Sequence, residues 1–396
     1  MTGEPLDTGE VEALRRQTPG VDHVVHLNHA GSSLPSAAVL DRQIEHLRRE
    51  ALTGGYEAAN EAAAEDAQVY DSIARLLNAD RSEIARVEHA TAGWNALFWS
   101  VPMREGQRIV TARAAYGANA VAFLRASERR GVRIDVVPAD EHGQVDVDEL
   151  ERRIDDDVAL VALTHVPTNG GLVNPAAAVG RIANAAGVPY LLDACQSTGQ
   201  LVVDVSEVGC DLLSSTGRKY LRGPRGTGFV FASNRIIDRL LPDHPDHHGA
   251  DWVAADRYEL RPDARRYEYW EYNHAGWLAL GLAVEEAMAI GMPRIEATVQ
   301  VRADELRTRL ADRGHRVMDL GTERCGIVTV AADGFDAATM KTALRAAGIN
   351  ISVTTPASTR FDAEVRDLDD MLRISVHYLT TSDELERTLD AIDANR

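Results

Sequence analysis

The strongest constraint on the fold is an alternation of short apolar runs with helical stretches between about residues 86 and 211. Two of the runs, residues 158–163 and 188–192, are almost continuously apolar, and residues 176–186 between them have a helical pattern. Continuous apolar strands separated by helices are typical of a mostly parallel sheet that is covered on both faces. The sequence therefore predicts an α/β fold with a mainly parallel sheet.

The chain of 396 residues is too long for one compact core, so two domains are expected. A long helical stretch over residues 278–290 leads away from the alternating region, and helices and strands follow it to the C-terminus. We predict a large domain over residues 21–275. Residues 1–20 and 276–396 would then form a smaller domain, with a C-terminal α+β unit.

The charge of the chain limits its partners. The formal net charge is −19, from 61 acidic and 42 basic residues, which argues against a nucleic acid or an anionic membrane as partner. No apolar run approaches the roughly 20 residues that a membrane span needs. The first twelve residues are acidic and lack an apolar segment, so we expect no secretory signal and a cytoplasmic location. Three cysteines without repeated spacing predict neither disulfides nor a metal site.

A single lysine suggests the chemistry. Lys219 lies between the hydroxyl-rich residues 214–216 and the glycine-rich residues 223–228, with no carboxylate in that stretch. Upstream, Asp193 ends an apolar run, and ligands of such sheets bind at the carboxyl ends of the strands. A lysine that can form a Schiff base and an acid that can hold a pyridinium nitrogen are what pyridoxal 5′-phosphate (PLP) requires. The sequence therefore predicts a PLP enzyme.

A candidate phosphate site lies at the start of a helix. Thr91 and Ala92 follow a strand-like pair of residues and precede an apolar helix, so their backbone N–H groups can face an anion. Thr91 could equally be an ordinary helix N-cap.

These motifs resemble the class V aminotransferase family of fold-type I PLP enzymes, which includes cysteine desulfurases and carbon–sulfur lyases. The resemblance extends over nearly the whole chain. It implies the fold-type I architecture, with a seven-stranded-type, mainly parallel sheet in the large domain and a smaller α+β C-terminal domain. It rests on residues 27–31, 164–171, 193–196, 216–228 and 372–378.

The resemblance implies a role for each of three charged residues. Lys219 would be the Schiff-base lysine and a general base, and Asp193 would keep the pyridine nitrogen protonated. Arg373 would bind the α-carboxylate of an amino-acid substrate, near a substrate loop that contains Asn28 and His29.

The resemblance also implies further contacts to the cofactor. Gln196 would bind its phenolic oxygen, Tyr116 would stack on its ring, and either Thr168 or Asn169 would reach the ring oxygen. Besides Thr91 and Ala92, Thr216 and Arg218 would bind the phosphate.

Two departures from the family pattern stand out. Cysteine desulfurases carry a nucleophilic cysteine before the carboxylate-binding arginine, and residues 352–359 contain none, while Cys325 has the pattern of a core residue. Glu271 stands where the family commonly donates a threonine to the phosphate of the neighbouring subunit. The resemblance implies a homodimer with a shared active site. Glu271 places in doubt only the contact between this segment and the cofactor phosphate of the neighbouring subunit.

Among the subgroups, residues 216–226 and 259–268 look most like the lyases of hercynylcysteine sulfoxide. We therefore predict a PLP-dependent carbon–sulfur β-lyase acting on a cysteine S-conjugate, either sulfoxide-like or S-glycosyl-like. The products would be a thiol or sulfenate, pyruvate and ammonia. The alternatives are a class V aminotransferase or epimerase, and a PLP-fold protein without activity. A cysteine desulfurase is disfavoured because of the missing cysteine.

Overall fold

The structure is a computed structural model that describes residues 3–396. Its strands are β1 (Val25–His26), β2 (Ile84–Val87), β3 (Arg108–Ala112), β4 (Arg133–Val137), β5 (Val158–Thr164), β6 (Tyr190–Asp193), β7 (Leu212–Thr216), β8 (Gly228–Ala232), β9 (Ala250–Ala254), β10 (Arg257–Leu260), β11 (Ile327–Ala331), β12 (Ile349–Asn350), β13 (Ser352–Thr354) and β14 (Met371–Ser375).

The helices alternate with these strands through most of the chain. They are α1 (Thr8–Arg16), α2 (Ala37–Thr53), α3 (Gly55–Glu61), α4 (Ala63–Leu77), α5 (Ala90–Ser100), α6 (Gly117–Arg130), α7 (Val147–Arg153), α8 (Ala176–Ala186), α9 (Val205–Val208), α10 (His274–Ile290), α11 (Met292–Asp312), α12 (Ala337–Ala346), α13 (Arg360–Arg366) and α14 (Ser382–Ala394).

The central sheet has seven strands in the order β2-β8-β7-β6-β5-β3-β4. Strand β8 runs antiparallel to both of its neighbours, β2 and β7, and the other pairs are parallel. The predicted α/β fold with a large, mainly parallel sheet is confirmed.

Strand β5 shows why this sheet needs a covering layer on both faces. All seven of its residues are buried. Val161 and Leu163 belong to one hydrophobic cluster, and Leu160 and Ala162 belong to the other. Successive side chains of a strand point to opposite faces, so an unbroken apolar run supplies two cores at once.

A smaller antiparallel sheet, in the order β11-β14-β13, forms near the C-terminus. Residues 349–353 have the pattern of a single strand, but the structure divides them between two partners. Strand β12 pairs in parallel with β1, and β13 pairs with β14. The strand β1, within the predicted large domain of residues 21–275, is thus hydrogen-bonded to a C-terminal strand. The division of the chain into two domains stays a prediction.

One hairpin of the structure was not expected from the sequence. The hairpin β9–β10 was not predicted, because most of its residues are exposed and lack an apolar alternation.

Within residues 3–396 no single helix is long and apolar enough to cross a membrane. The pair α10 and α11, bent by 80°, meets the length and composition requirement only when taken together.

Candidate active site

A cavity of about 490 Å³ lies at the carboxyl edge of the central sheet. Strands β5, β6 and β7 end in Thr164, Asp193 and Thr216, and all three side chains line it. The geometry follows the rule for open α/β sheets, whose ligands bind beyond the carboxyl ends of the strands. The other lining residues are Ala30, Gly31, His89, Ala90, Thr91, Trp94, Tyr116, Asn119, Val166, Thr168, Cys195, Gln196, Ser214, Arg218, Lys219, Arg225, Gly226, Ser358 and Arg373.

Lys219 reaches this cavity from the turn that follows β7. Burial lowers the pKa of Lys219 to about 8, from its usual value of 10.5, and the neighbouring Arg218 lowers it further against the opposing effects of Cys195 and Asp193. A larger fraction of the amine is therefore neutral at physiological pH than for an exposed lysine. A neutral amine is the form that attacks a carbonyl carbon or accepts a proton.

The turn that carries Lys219 is fixed from both sides. The Gly223 N–H donates to the carbonyl of Gly217 at 2.8 Å. Arg222, which has a left-handed backbone with φ 64°, donates from Nη1 to the Tyr378 hydroxyl at 2.8 Å and from Nη2 to Thr18 Oγ1 at 2.6 Å. These bonds to distant parts of the chain hold the lysine at one place in the cavity.

Asp193 is buried at the end of β6 and accepts two hydrogen bonds. Its Oδ1 accepts from the backbone N–H of Cys195 at 3.0 Å, and its Oδ2 accepts from Asn119 Nδ2 at 2.8 Å. Both donors are neutral, so the carboxylate charge remains available for a cationic group in the cavity.

Three of the four residues predicted to bind the phosphate line the cavity. Thr91, Thr216 and Arg218 line it, and Ala92 does not. The Ala92 N–H donates instead to Nδ1 of His89, the N-cap of α5, at 3.1 Å. The sequence analysis missed His89, although a side chain that directly precedes the helix is the normal place to look for a cap.

One of the two alternatives before Asp193 faces the cavity. Thr168 lines it, and Asn169 does not. Asn169 is buried and donates a short hydrogen bond to the hydroxyl of Thr359. The structure therefore places Thr168 beside the other site residues and uses Asn169 to hold the segment around Thr359.

Arg373, on β14, lies in the wall opposite the central sheet. Its Nη1 donates to Thr168 Oγ1 at 2.6 Å, and its Nη2 donates to Asn28 Oδ1 at 3.3 Å. Within residues 3–396 it has no carboxylate partner, and burial lowers the pKa of its guanidinium. A buried guanidinium held by neutral oxygens is suited to a carboxylate from solution.

The two predicted substrate-loop residues point in different directions. Asn28 contacts Arg373, whereas His29 lies outside the cavity lining. The ring of His29 stacks on His377 with centroids 4.5 Å apart, and its Nδ1 is 2.9 Å from Ser33 Oγ. Burial lowers the pKa of His29 well below its usual value, so it is a neutral, packed side chain.

The cysteines occupy three different environments. Cys210 and Cys325 are buried in hydrophobic clusters, in keeping with the core pattern expected for Cys325. Cys195 lines the cavity, but burial raises the pKa of its thiol well above the usual value. Among the described residues of the segment 352–359, Ser358 is the one that lines the cavity.

The cavity fits a polar ligand of the PLP type. Gln196 Oε1, Ser214 Oγ and Arg373 Nε are buried and have no hydrogen-bond partner among the described residues. Buried polar groups are normally satisfied, so a ligand with several polar atoms is expected here. The chemical groups of the cavity match those of PLP. The lysine can react with its carbonyl, the carboxylate can bind its ring nitrogen, and the hydroxyl groups and the arginine can bind its phosphate.

Comparison with known proteins identifies the family. A family model described as "Aminotransferase class-V" matches residues 25–388. The chain belongs to this family. It is therefore a PLP-dependent class V enzyme, and the predictions of the family, of the fold type and of the cofactor are confirmed.

Similar members of the class V family have two kinds of description. A probable cysteine desulfurase of Methanothermobacter thermautotrophicus is 27% identical over 95% of both chains. A probable hercynylcysteine sulfoxide lyase of Mycobacterium tuberculosis is 30% identical over 93% of this chain and 90% of its own. The cysteine desulfurase structure from Thermococcus onnurineus has a TM-score of 0.90 at 20% identity, covering 100% of this chain and 99% of that one, which supports the fold alone.

The predicted lyase of a cysteine S-conjugate, with a desulfurase disfavoured, is wrong. Further relatives described as cysteine desulfurases also cover 90% or more of this chain. The prediction gave too much weight to the missing cysteine in residues 352–359, since the absence of one side chain does not exclude a reaction. The aminotransferase alternative has less support than activity at a carbon–sulfur bond.

Proposed function

We propose that this class V enzyme cleaves the carbon–sulfur bond of L-cysteine. The observation that carries the proposal is the joint placement of Lys219, Asp193 and Arg373 in one cavity, with Arg373 free of any described carboxylate partner. The names of the similar desulfurases point to cysteine as the substrate.

The cofactor would be held by residues that surround the cavity. Asp193 would bind the pyridine nitrogen, Gln196 and Thr168 would lie at the ring oxygen, and Tyr116 would cover one face of the ring. Thr91, Thr216 and Arg218 would hold the phosphate. Bound PLP supplies an electron sink for the pair left behind when a proton leaves the α-carbon of an amino acid.

The substrate would be oriented by its α-carboxylate. Arg373 offers two N–H groups to that carboxylate, while Thr168 and Asn28 fix the plane of the guanidinium. Lys219, with a pKa near 8, would hold the α-proton at Nζ and return it. The neutral Cys195 thiol is a poor nucleophile. The sulfur atom of the substrate would therefore not be transferred to Cys195 and would leave the active site with a product.

The test is an incubation of the PLP-loaded protein with L-cysteine and a small thiol. Alanine, formed when the sulfur passes to the thiol, and pyruvate, formed when it leaves as sulfide, are both quantified. Either product at many turnovers supports the proposal. L-Serine, which lacks the sulfur, and the Lys219→Ala variant serve as controls. The proposal fails if cysteine yields neither product above the level of Lys219→Ala.

The predicted homodimer and cytoplasmic location stay proposals. Exposed aromatic side chains on and after the hairpin β9–β10 support a contact with a second copy, because large exposed apolar surfaces mark interaction sites. These are Trp252, Tyr258, Tyr269 and Trp270. Analytical ultracentrifugation of the PLP-loaded protein and of a Trp252→Ser, Trp270→Ser double variant would show whether a dimer forms through this surface.

A further inference from the structure

Helix α6 places one polar side chain on an otherwise apolar inner face. Its buried residues are Asn119, Ala122, Phe123 and Ala126, at the spacing of a single helical face. Three of them pack in a hydrophobic cluster, and Asn119 instead reaches the floor of the active-site cavity. A buried amide among apolar residues costs free energy unless it is hydrogen-bonded.

Asn119 bonds to one partner, and that partner is Asp193. The Nδ2 of Asn119 donates to Oδ2 of Asp193 at 2.8 Å, and both side chains are about 95% buried, with exposed fractions of 4% and 5%. The thiol of Cys195 also lies beside this carboxylate. The second donor, at Oδ1, is the backbone N–H of Cys195.

No cation contacts the pair directly, although the charge of Asp193 acts on Lys219 in the same cavity. Asp193 forms no ion pair with a described residue within 4 Å. The ring of His165 lies nearby, but burial lowers the pKa of His165 to about 4, so the ring is neutral. Hydrogen bonds from neutral donors favour the ionised form of a carboxyl group and fix its plane without cancelling its charge.

We propose that Asn119 is a positioning residue for the cofactor: it holds the Asp193 carboxylate in the orientation in which it can bind the protonated pyridine nitrogen. The proposal concerns the chain's hold on the cofactor and does not depend on which amino acid is the substrate. It does rest on the proposed assignment of Asp193 to the ring nitrogen.

The position of Asn119 is itself well determined. Tyr116 caps the N-terminus of α6, and the helix begins at Gly117, where a Cβ would lie 2.9 Å from the carbonyl oxygen of Ala357. This close approach fixes the first turn of α6 against the segment before α13. Asn119, two residues further on, is therefore set in place by backbone packing rather than by the cofactor.

The experiment uses the full chain loaded with PLP whose ring nitrogen is isotopically labelled, and follows that nitrogen by NMR. Two variants remove the donor in different ways: Asn119→Leu replaces the amide by an apolar group of similar size, and Asn119→Ala deletes it. Val121→Ala, at an exposed position of the same helix, is the matched control. Asp193→Asn tests the assignment on which the inference rests.

In both Asn119 variants we expect the NMR signal of the ring nitrogen to move toward the position of an unprotonated pyridine. We also expect the Kd for PLP to rise about tenfold, because a charge-assisted hydrogen-bond network is weakened. Val121→Ala should match the wild type. Thermal unfolding of the PLP-free proteins is measured in parallel, because a purely structural role would lower that stability without moving the ring-nitrogen signal.

Two results would overturn the proposal, and they are distinguishable. If Asp193→Asn moves the ring-nitrogen signal and both Asn119 variants leave signal and affinity unchanged, Asn119 has no positioning role. If Asp193→Asn also leaves the signal unchanged, the assignment of Asp193 fails and the inference falls with it. Should Asn119→Leu fail to fold, Asn119→Ala gives the same readout.

Discussion

Nη1 of Arg373 lies 2.6 Å from Oγ1 of Thr168, in the cavity that also contains Lys219. The threonine belongs to the loop after β5, and the arginine lies on β14 of the C-terminal sheet, 205 residues later. The hydroxyl is thus a neutral anchor for a buried cation. It fixes the direction of the guanidinium and leaves its charge for a ligand.

The Thr168→Val variant removes this anchor and keeps the shape of the side chain. We expect the KM for the amino-acid substrate to rise about fivefold to tenfold, because one hydrogen bond to a charged group is lost. The absorbance of the bound cofactor should shift as well, because Thr168 is also proposed to lie at the ring oxygen. Steady-state kinetics measure the effect, and Thr355→Val, at an exposed position outside the cavity lining, is the matched control. An unchanged KM would mean that Thr168 does not orient Arg373.

The pH dependence of cofactor attachment reports on Lys219. The chain has only two lysines, Lys219 and the exposed Lys341, so each can be followed by mass spectrometry after borohydride reduction. Because burial lowers the pKa of Lys219 to about 8, its attachment rate to PLP should rise between pH 7 and 8 and level off soon above that value.

The sign of the accompanying change in stability follows from the same pKa. In the PLP-free protein, between pH about 8 and 10.5, the unfolded chain binds more protons at Lys219 than the folded chain does. Raising the pH through that window therefore increases the free energy of unfolding, so that Lys219 makes the folded state more stable. The Lys219→Met variant should lack this contribution. An attachment rate that still climbs steeply beyond pH 9 would show that the amine is not depressed.

How much of the site can be predicted depends on the kind of residue. Asp193 stands at a strand end and Lys219 in a glycine-rich turn, where chain topology alone places both at one edge of the central sheet. Arg373 lies in the middle of β14 in the other sheet, and its place in the site was expected from the family resemblance alone. Neighbouring residues on a loop are harder. Thr168 and Asn169 are both polar, and only the packing of Asn169 against Thr359 decides which one faces the cavity.

Other parts of the site depend on contacts that leave no pattern in the sequence. The Ala92 N–H is taken by His89, a choice made by one side-chain rotamer at the N-terminus of α5. Asn119 could have been noticed, since it interrupts the apolar face of α6. In the fold, the mainly parallel sheet follows from its apolar runs. The splitting of residues 349–353 between β12 and β13 does not, because it is set by two partner strands that lie far away in the sequence.

Gly199 supports the lysine turn through its lack of a side chain. Its φ is +94°, and a Cβ there would lie 2.5 Å from the backbone nitrogen of Leu221, two residues after Lys219. Gly199→Ala should destabilise the protein by about 3 kcal/mol, through backbone strain together with displacement of that turn. It should also weaken PLP binding. Urea unfolding and a cofactor titration measure the two effects.

The matched control is Gly187, at the C-terminus of α8. Its φ is +68°, but nothing lies within 4 Å of the Cβ position. Gly187→Ala should therefore cost only the left-handed backbone penalty, roughly 1 kcal/mol, and leave PLP binding unchanged. Equal losses in the two variants would show that the contact between Gly199 and the lysine turn has no energetic weight.

The pair of Arg86 and Glu268 is the most deeply buried ion pair near the segment that leads to α10. Nη1 of Arg86 is 3.0 Å from Oε2 of Glu268, and the glutamate side chain is fully buried. The glutamate also accepts from the Tyr70 hydroxyl and from the backbone N–H of Arg86, each at 2.9 Å. Its charge is thus satisfied by several donors at once.

Removing one charge from this pair leaves the other buried and uncompensated. Glu268→Gln keeps the size of the side chain, and we expect it to lower the free energy of unfolding by about 3 kcal/mol. Glu61→Gln breaks the ion pair between Glu61 and Arg49, whose side chains are 49% and 51% exposed, and should leave the urea midpoint nearly unchanged because solvent screens an exposed pair. Urea unfolding of both variants tests the contrast. Similar losses in the two would mean that the guanidinium of Arg86 regains solvent or another partner when the carboxylate is removed.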